Sequence, residues 1–120
     1  MGRGLEFLLA FVLIPLLDAP WLWYQSKASA PLWRAIQGPG PSGQLWAAVV
    51  VYLALAFLLT QQTSVWGAAL HGSAVYAVYD FTNLALLRNY ELSFAIQDTV
   101  WGGILFAAAY WILEKVRKVL

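Results

Sequence analysis

Three aspartates interrupt otherwise apolar stretches of the sequence: Asp18, Asp80 and Asp98. Two of them occur in the same short pattern, since "DAPW" and "DTVW" place Trp21 and Trp101 three residues after Asp18 and Asp98. Residues three apart share one face of a helix, so each indole N–H is expected near the acid of its own helix or near an acid on a neighbouring helix. Carboxyl groups held in an apolar environment bind protons or cations, and this is the chemistry that the three aspartates could perform.

The three aspartates are predicted to lie at one depth in a membrane. Asp18 and Asp80 come shortly before the ends of their predicted helices, and Asp98 comes shortly after the start of its own. At 1.5 Å per residue, each lies about 8–10 Å inside the same membrane face. Because an aspartate facing lipid costs up to about 2.5–3.5 kcal/mol, we expect the three side chains to point inward and meet.

A polar stripe on the third predicted helix supports the inward orientation of Asp80. Ser73, Tyr76, Asp80, Asn83 and Leu87 recur at spacings of three or four residues and so share one helix face. We expect this face to meet the interior of the helix bundle. If the protein is a proton- or cation-linked carrier, Tyr76 and Asn83 are expected to orient the exchanging acids. The predicted intramembrane polar cluster comprises Asp18, Trp21, Tyr76, Asp80, Asn83, Asp98 and Trp101.

The cluster has a structural and a functional interpretation. Buried Asp, Asn, Thr and Trp side chains hold helices together, with an average of about 0.6 kcal/mol for each interhelical hydrogen bond. Asp98 also lies near a helix N-terminus, where the helix dipole favours an anion. Ser, Thr or Asn could hold helices together without an ionisable group, however, so a proton or cation site remains the alternative. Because three neighbouring acids repel one another as anions, we expect at least one of them to carry a proton at neutral pH.

His71 is the only histidine and is predicted to lie away from the acids. It precedes Asp80 by nine residues, which places it on the opposite helix face and about 13 Å along the axis. We expect it to pack through a hydrogen bond, while a role in binding a cofactor or pigment is an alternative. The sequence has no metal-ligand spacing, no G-x-S-x-G motif and no phosphate-binding loop, so we predict neither a metal site nor catalytic residues.

Four apolar segments must position these residues. Hydrophobic residues make up 62% of the chain and charged residues 11%, which is typical of a membrane protein rather than a soluble domain. The chain has no cysteine, which excludes disulfides. Its net charge is +1 and it has no basic patch, which excludes nucleic-acid binding. The predicted spans are 5–24, 44–61, 66–87 and 93–113.

These spans predict an all-α bundle of four transmembrane helices in one polytopic domain, residues 1–120. The first connection, 25–43, contains the run "GPGPSG" and is expected to be an irregular loop in which "APLWRAI" forms a short helix at the membrane surface. The other two connections, "TQQTS" and "RNYEL", are tight and predict antiparallel hairpins. An even number of spans places both termini on one side.

Small and aromatic residues predict how the helices pack and where they end. Gly67, Ala68 and Gly72 on the third helix, with Gly102 and Gly103 on the fourth, would allow close approach of two backbones. Aromatic side chains near the predicted helix ends are typical of the belt at a membrane interface. They are Trp21, Trp23, Tyr24, Trp33, Trp46, Trp66 and Tyr90.

The motifs resemble those of a family of small predicted membrane proteins, domain of unknown function 2177. The sequence pattern of that family is similar to Y-D-[LF]-T-N-L-A-x-L, then a short polar loop, then D-x-x-W-G. A further D-x-x-W stands at the end of its first span. The matching residues here are Tyr79, Asp80, Thr82, Asn83, Leu84 and Ala85, then Asp98, Trp101 and Gly102, and also Asp18 and Trp21. Leu86 departs from the pattern, because the family often has a threonine there. The resemblance implies four helices and no established activity.

We expect the chain to be a multi-pass integral membrane protein that is not an enzyme. The favoured function is an accessory or structural subunit of a larger membrane assembly, whose apolar second helix, with Tyr52 as its main polar interruption, faces lipid or a partner subunit. One alternative is a proton- or cation-linked carrier of a small solute, which would act as an oligomer because four helices are few for a carrier. The other is a holder of a pigment or cofactor that uses His71. The expected partners are the lipid bilayer and other membrane subunits or copies of the same chain, and not nucleic acid.

Overall fold

The computed structural model describes residues 1–38 and 44–120, and over these ranges the chain has five helices and no strand. The elements are α1 (Arg3–Ala28), α2 (Ala30–Gln37), α3 (Leu45–Thr60), α4 (Val65–Leu86) and α5 (Leu92–Val119). The all-α prediction is confirmed, and α1, α3, α4 and α5 correspond to the four predicted segments.

The predicted first loop is largely helical. Helix α1 continues to Ala28, where the backbone N–H of Ser29 bonds to the carbonyl oxygen of Gln25, and α2 follows with a proline in its first turn. Helices need backbone hydrogen bonds and not a continuous apolar face, so α1 extends past the apolar run from which its end was predicted. Residues 39–43, the rest of the predicted Gly-Pro loop, lie outside the described residues.

Helices α4 and α5 pack closely and antiparallel. The Ser73 hydroxyl donates to the carbonyl oxygen of Thr99 over 3.0 Å, and Gly72 lies against Gly102 and Phe106 further along the same interface. A Cβ atom on Gly72 would clash with the Gly102 carbonyl and the Phe106 side chain. The predicted close approach of two glycine-containing helices is therefore confirmed for this pair.

Helix α1 also packs on α5 and is antiparallel to it. Near its start, Glu6 pairs with Arg117 at 2.9 Å, and near its end Trp21 bonds to Asp98. The start of α1 and the end of α5 therefore lie at the same end of the molecule. Within the described residues, α3 packs mainly on α1 and only slightly on α5. The tight turn between α3 and α4 does not make them packing partners, so the predicted α3–α4 hairpin is wrong in this respect.

The interior has two parts. A larger apolar cluster lies between α1, α3, α4 and α5, and a smaller one lies where α2 covers the turn between α4 and α5. In the smaller cluster, Trp33 packs edge-on against Tyr90 and Phe94, with ring centroids 5.9 and 5.5 Å apart. The buried members of the larger cluster are Ala10, Ile14, Leu55, Ala56, Leu59, Ala68, Leu105, Phe106, Ala109, Tyr110 and Leu113.

Two helices, α1 and α5, are long and apolar enough to cross a membrane, by length and composition alone. Helix α3 is apolar but has 16 residues, which corresponds to about 24 Å at 1.5 Å per residue. In the part of the chain that the structure describes, α4 does not meet the same criterion of length and composition.

Candidate functional site

The two D-x-x-W motifs meet between α1 and α5. The indole Nε1 of Trp101 donates to Oδ1 of Asp18 at 2.7 Å, and Nε1 of Trp21 donates to Oδ1 of Asp98 at 2.9 Å. The two indoles stack, with centroids 5.2 Å apart and planes 12° from parallel. Two antiparallel helices with the same spacing of acid and indole produce this reciprocal arrangement, in which each tryptophan donates a hydrogen bond to the acid of the other helix. Of the two arrangements that the motif allows, the structure has the one that joins helices.

Asp18 also bonds to α3. The hydroxyl of Tyr52 donates to its second oxygen, Oδ2, over 2.6 Å. Both oxygens of this buried carboxyl group therefore accept a hydrogen bond, one from α3 and one from α5. Sequence reasoning did not assign Tyr52 to the cluster, although its position as the main polar residue of the apolar run 45–59 was a usable signal. The Asp18 side chain thus connects three helices.

Asp80 is the most deeply buried of the acids, at 0% exposure against 4% for Asp18 and 7% for Asp98. The hydroxyl of Tyr90 donates to Oδ1 of Asp80 at 2.8 Å. The other oxygen, Oδ2, receives a hydrogen bond from no donor in the described residues. The Asp80 carboxyl group is within hydrogen-bonding reach of the carboxyl group of Asp98 on α5. The three aspartates are therefore buried and linked, Asp18 to Asp98 through the stacked indoles and Asp98 to Asp80 directly.

Tyr90 is held in place by α2 and by the α4–α5 turn. It is buried between Trp33 and Phe94, and the preceding residue, Asn89, adopts a left-handed conformation and donates its side-chain amide to the carbonyl oxygen of Ala35. The prediction that Tyr90 belongs to an interfacial belt is wrong, because its ring packs inside the molecule and its hydroxyl bonds to Asp80. Burial, and then the hydrogen bond to Asp80, raise the pKa of Tyr90 above its usual range, so its hydroxyl remains a donor.

The other predicted members of the cluster differ in their placement. Tyr76 is half-buried with its ring against Gly102, close enough to Asp18, Asp80 and Asp98 to interact with all three electrostatically. Asn83 is within hydrogen-bonding reach of the hydroxyl of Tyr90.

Two residues named with the stripe lie outside the cluster. The hydroxyl of Ser73 bonds to the backbone of α5. Leu87 comes after the last residue of α4 and is exposed, so its place on the predicted stripe is wrong.

His71 lies apart from the acids, as the helical spacing predicts. It is exposed on α4, and its Nδ1 is 2.8 Å from the carbonyl oxygen of Gly67 in its own helix. Over residues 1–38 and 44–120, no group of three or more His, Asp or Glu side chains is arranged to hold a metal ion.

The chemistry open to this arrangement follows from its donors. Tyrosine and tryptophan are neutral at physiological pH, so among the described residues the acids accept hydrogen bonds from O–H and N–H groups and are not paired with cations. The ion pairs of the described residues, Arg117 with Glu6 and Glu114, lie at the other end of α1 and α5. Such a network can hold helices in register, and it can bind a proton where two carboxyl groups meet.

A model of the family described as "Predicted membrane protein (DUF2177)" matches residues 4–113. The match includes all three motif segments, around Asp18, Asp80 and Asp98. No curated protein and no solved structure matches the chain.

Proposed function

Because this chain belongs to the DUF2177 family of predicted membrane proteins, we propose that it is a four-span integral membrane protein, residues 1–120, that acts as a non-catalytic subunit of a larger membrane assembly. In this proposal α1, α3, α4 and α5 all cross the bilayer. The buried aspartate network fixes their relative positions, and the outer face of α3 contacts lipid or a partner subunit.

The observation that carries the proposal is the apolar outer surface. Large hydrophobic side chains are exposed on every one of the four long helices, a surface that is costly in water and favourable in lipid. Helix α3 is the extreme case, with Val50, Val51 and Phe57 each more than half exposed. The three aspartates, in contrast, lie inside.

The composition of α4 is compatible with a span. Its 22 residues correspond to about 33 Å, which is sufficient for a bilayer core of about 30 Å. Its one charged residue, Asp80, is fully buried, and Ser73 bonds to α5. A hydropathy average counts these side chains as if they faced lipid, although they face protein. The side of α4 away from α5 presents Leu70 and Val78, both more than half exposed.

Single-cysteine labelling tests the four-span topology directly, because the chain contains no native cysteine. Cysteine is introduced singly at four exposed positions outside or at the ends of the helices: Gly2, Ser26, Thr63 and Arg88. An impermeant thiol reagent applied to sealed vesicles should label Gly2→Cys and Thr63→Cys from one side, and Ser26→Cys and Arg88→Cys from the other. Each variant should be labelled fully after solubilisation, which is the control for accessibility.

Thr63 distinguishes four spans from two. If only α1 and α5 crossed the membrane, Ser26→Cys, Thr63→Cys and Arg88→Cys would all be labelled from the same side. That pattern would overturn the four-span proposal.

The subunit role is tested separately, by gentle solubilisation of native membranes and identification of proteins that co-purify in a fixed ratio. Recovery of the chain alone in every detergent would contradict it.

A proton- or cation-linked carrier is the second candidate. It is favoured by Asp80, whose Oδ2 meets no donor among the described residues and whose carboxyl group is within reach of a second acid, Asp98. Replacing Asp18, Asp80 and Asp98 together by asparagine preserves size and hydrogen bonding but removes titration. A carrier should then lose pH-dependent solute flux in reconstituted vesicles while remaining folded, whereas a structural subunit should still assemble.

A further inference from the structure

We propose that Asp80 and Asp98 bind one proton between them, and that this shared proton joins α4 to α5. The site deepens the carrier candidate by naming the two acids that would exchange a proton. It would also exist in a purely structural subunit, so its test is independent of solute flux and of partner capture.

The fold holds the two acids together. Asp80 lies on α4 and Asp98 on α5, and both side chains are buried. The helices that carry them are in backbone contact at Gly72 and Gly102, so the two carboxyl groups have little freedom to separate. Tyr90 occupies Oδ1 of Asp80 and Trp21 occupies Oδ1 of Asp98. The two acids can therefore contact each other only through hydrogen-bonding positions that Tyr90 and Trp21 leave free.

The contact lacks a donor unless a proton is present. An ionised carboxylate only accepts hydrogen bonds, whereas a protonated one has an O–H to donate. Oδ2 of Asp80 is buried and meets no donor among the described residues, and leaving such a group unsatisfied is costly. One proton between the two groups supplies the missing donor and reduces the charge of the pair from two to one.

Within residues 1–38 and 44–120, no cationic side chain acts on Asp80 in place of the proton. The titratable groups that interact with the pair are Tyr76 and Tyr79 on α4, Tyr90 on the turn, and Asp18 on α1, to which Tyr52 of α3 bonds. All of these are neutral phenols or a further acid. In the part of the chain that the structure describes, Asp98 is the charged side chain that acts electrostatically on Asp80.

Asp18 is not part of the proton site. Both of its oxygens already accept hydrogen bonds, from Trp101 and from Tyr52, so its ionised form is satisfied. This makes Asp18→Asn a matched control, because the change removes a buried acid from the same network without affecting the proposed proton.

Infrared spectroscopy of the purified protein tests the proposal through the carbonyl stretch of a protonated carboxylic acid. At neutral pH the wild type should show this band, shifted in deuterated water, and the band should disappear reversibly as the pH is raised. Asp80→Asn and Asp98→Asn should each abolish it, while Asp18→Asn should leave it in place. Circular dichroism establishes that each variant remains helical.

Three results would overturn the shared proton. The first is that the wild type shows no band at neutral pH. The second is that the band is lost in Asp18→Asn but retained in Asp80→Asn. The third is that the band of the wild type disappears at constant pH when sodium or potassium is added, which would indicate a cation site. The first and third measurements use the wild type alone, so they remain decisive if an asparagine variant fails to fold.

Discussion

Trp21 and Trp101 each donate to an aspartate on the other helix, so either indole N–H can be removed by itself. Trp101→Phe leaves Oδ1 of Asp18 without its donor, and Trp21→Phe does the same to Asp98. We expect each change to lower the free energy of unfolding by about 1–3 kcal/mol, the usual cost of a buried acceptor that loses its partner. Either change should also abolish the exciton signal of the stacked indoles in circular dichroism, the more specific measurement.

Trp66→Phe is the matched control for both indole variants, because Trp66 is 72% exposed. Its effect should stay within about 0.5 kcal/mol. Equal stability of all three variants would contradict a role for the reciprocal hydrogen bonds in holding α1 to α5.

The side chain of Tyr90 has one polar atom, its hydroxyl oxygen, and this hydroxyl donates to Asp80. Tyr90→Phe keeps the ring between Trp33 and Phe94 but removes the hydroxyl donor, so we expect a loss of about 1–3 kcal/mol of stability. Thermal unfolding in detergent measures it, with Tyr24→Phe at an exposed position as the control. If the two variants melt together, the Tyr90–Asp80 hydrogen bond contributes nothing to the fold.

Packing of α4 on α5 depends on residues that lack a side chain. Gly72→Ala introduces a methyl group that overlaps the Gly102 carbonyl and the Phe106 side chain. We expect it to cost about 1–3 kcal/mol, because overpacking forces two backbones apart. Gly4→Ala is the control, since a Cβ there meets nothing within 4 Å and alanine favours a helix. A melting temperature for Gly72→Ala equal to that of Gly4→Ala would exclude the close approach.

At the scale of helices, the sequence predicted local features better than pairings. Apolar length located the four long helices, and the glycines of α4 and α5 predicted their close contact, because both signals are local. The partner of α3 was not predictable from turn length: a tight turn restricts where α4 begins, while packing on α1 is determined by side chains such as Tyr52, which bonds to Asp18. Tyr90 was misassigned for a related reason. Its position at a helix end is typical of an interfacial aromatic, and only the folding of α2 over the turn buries it.

The whole molecule is organised around α5. This helix packs against α1 and α4, touches α3, and contributes Phe94 to the cluster under α2. Its buried residues include Asp98, which meets α1 through Trp21 and α4 through Asp80. A change in the charge of Asp98 therefore acts on the packing of two neighbouring helices at once, so protonation of one pair of side chains should be visible in global stability.

Alkaline pH should weaken the whole bundle. Removal of the shared proton puts two negative carboxylates in contact between α4 and α5, so the melting temperature of the wild type in detergent should fall as the pH rises. Tyr90 does not cause this fall: its pKa is raised, so the stability that its hydroxyl contributes is fully present below the ordinary tyrosine pKa of about 10 and is lost only above it. Asp98→Asn leaves a single acid with an amide donor beside it, and its melting temperature should vary much less with pH between about 6 and 9. A wild type and an Asp98→Asn variant with parallel pH profiles would show that the two helices are not joined by a proton.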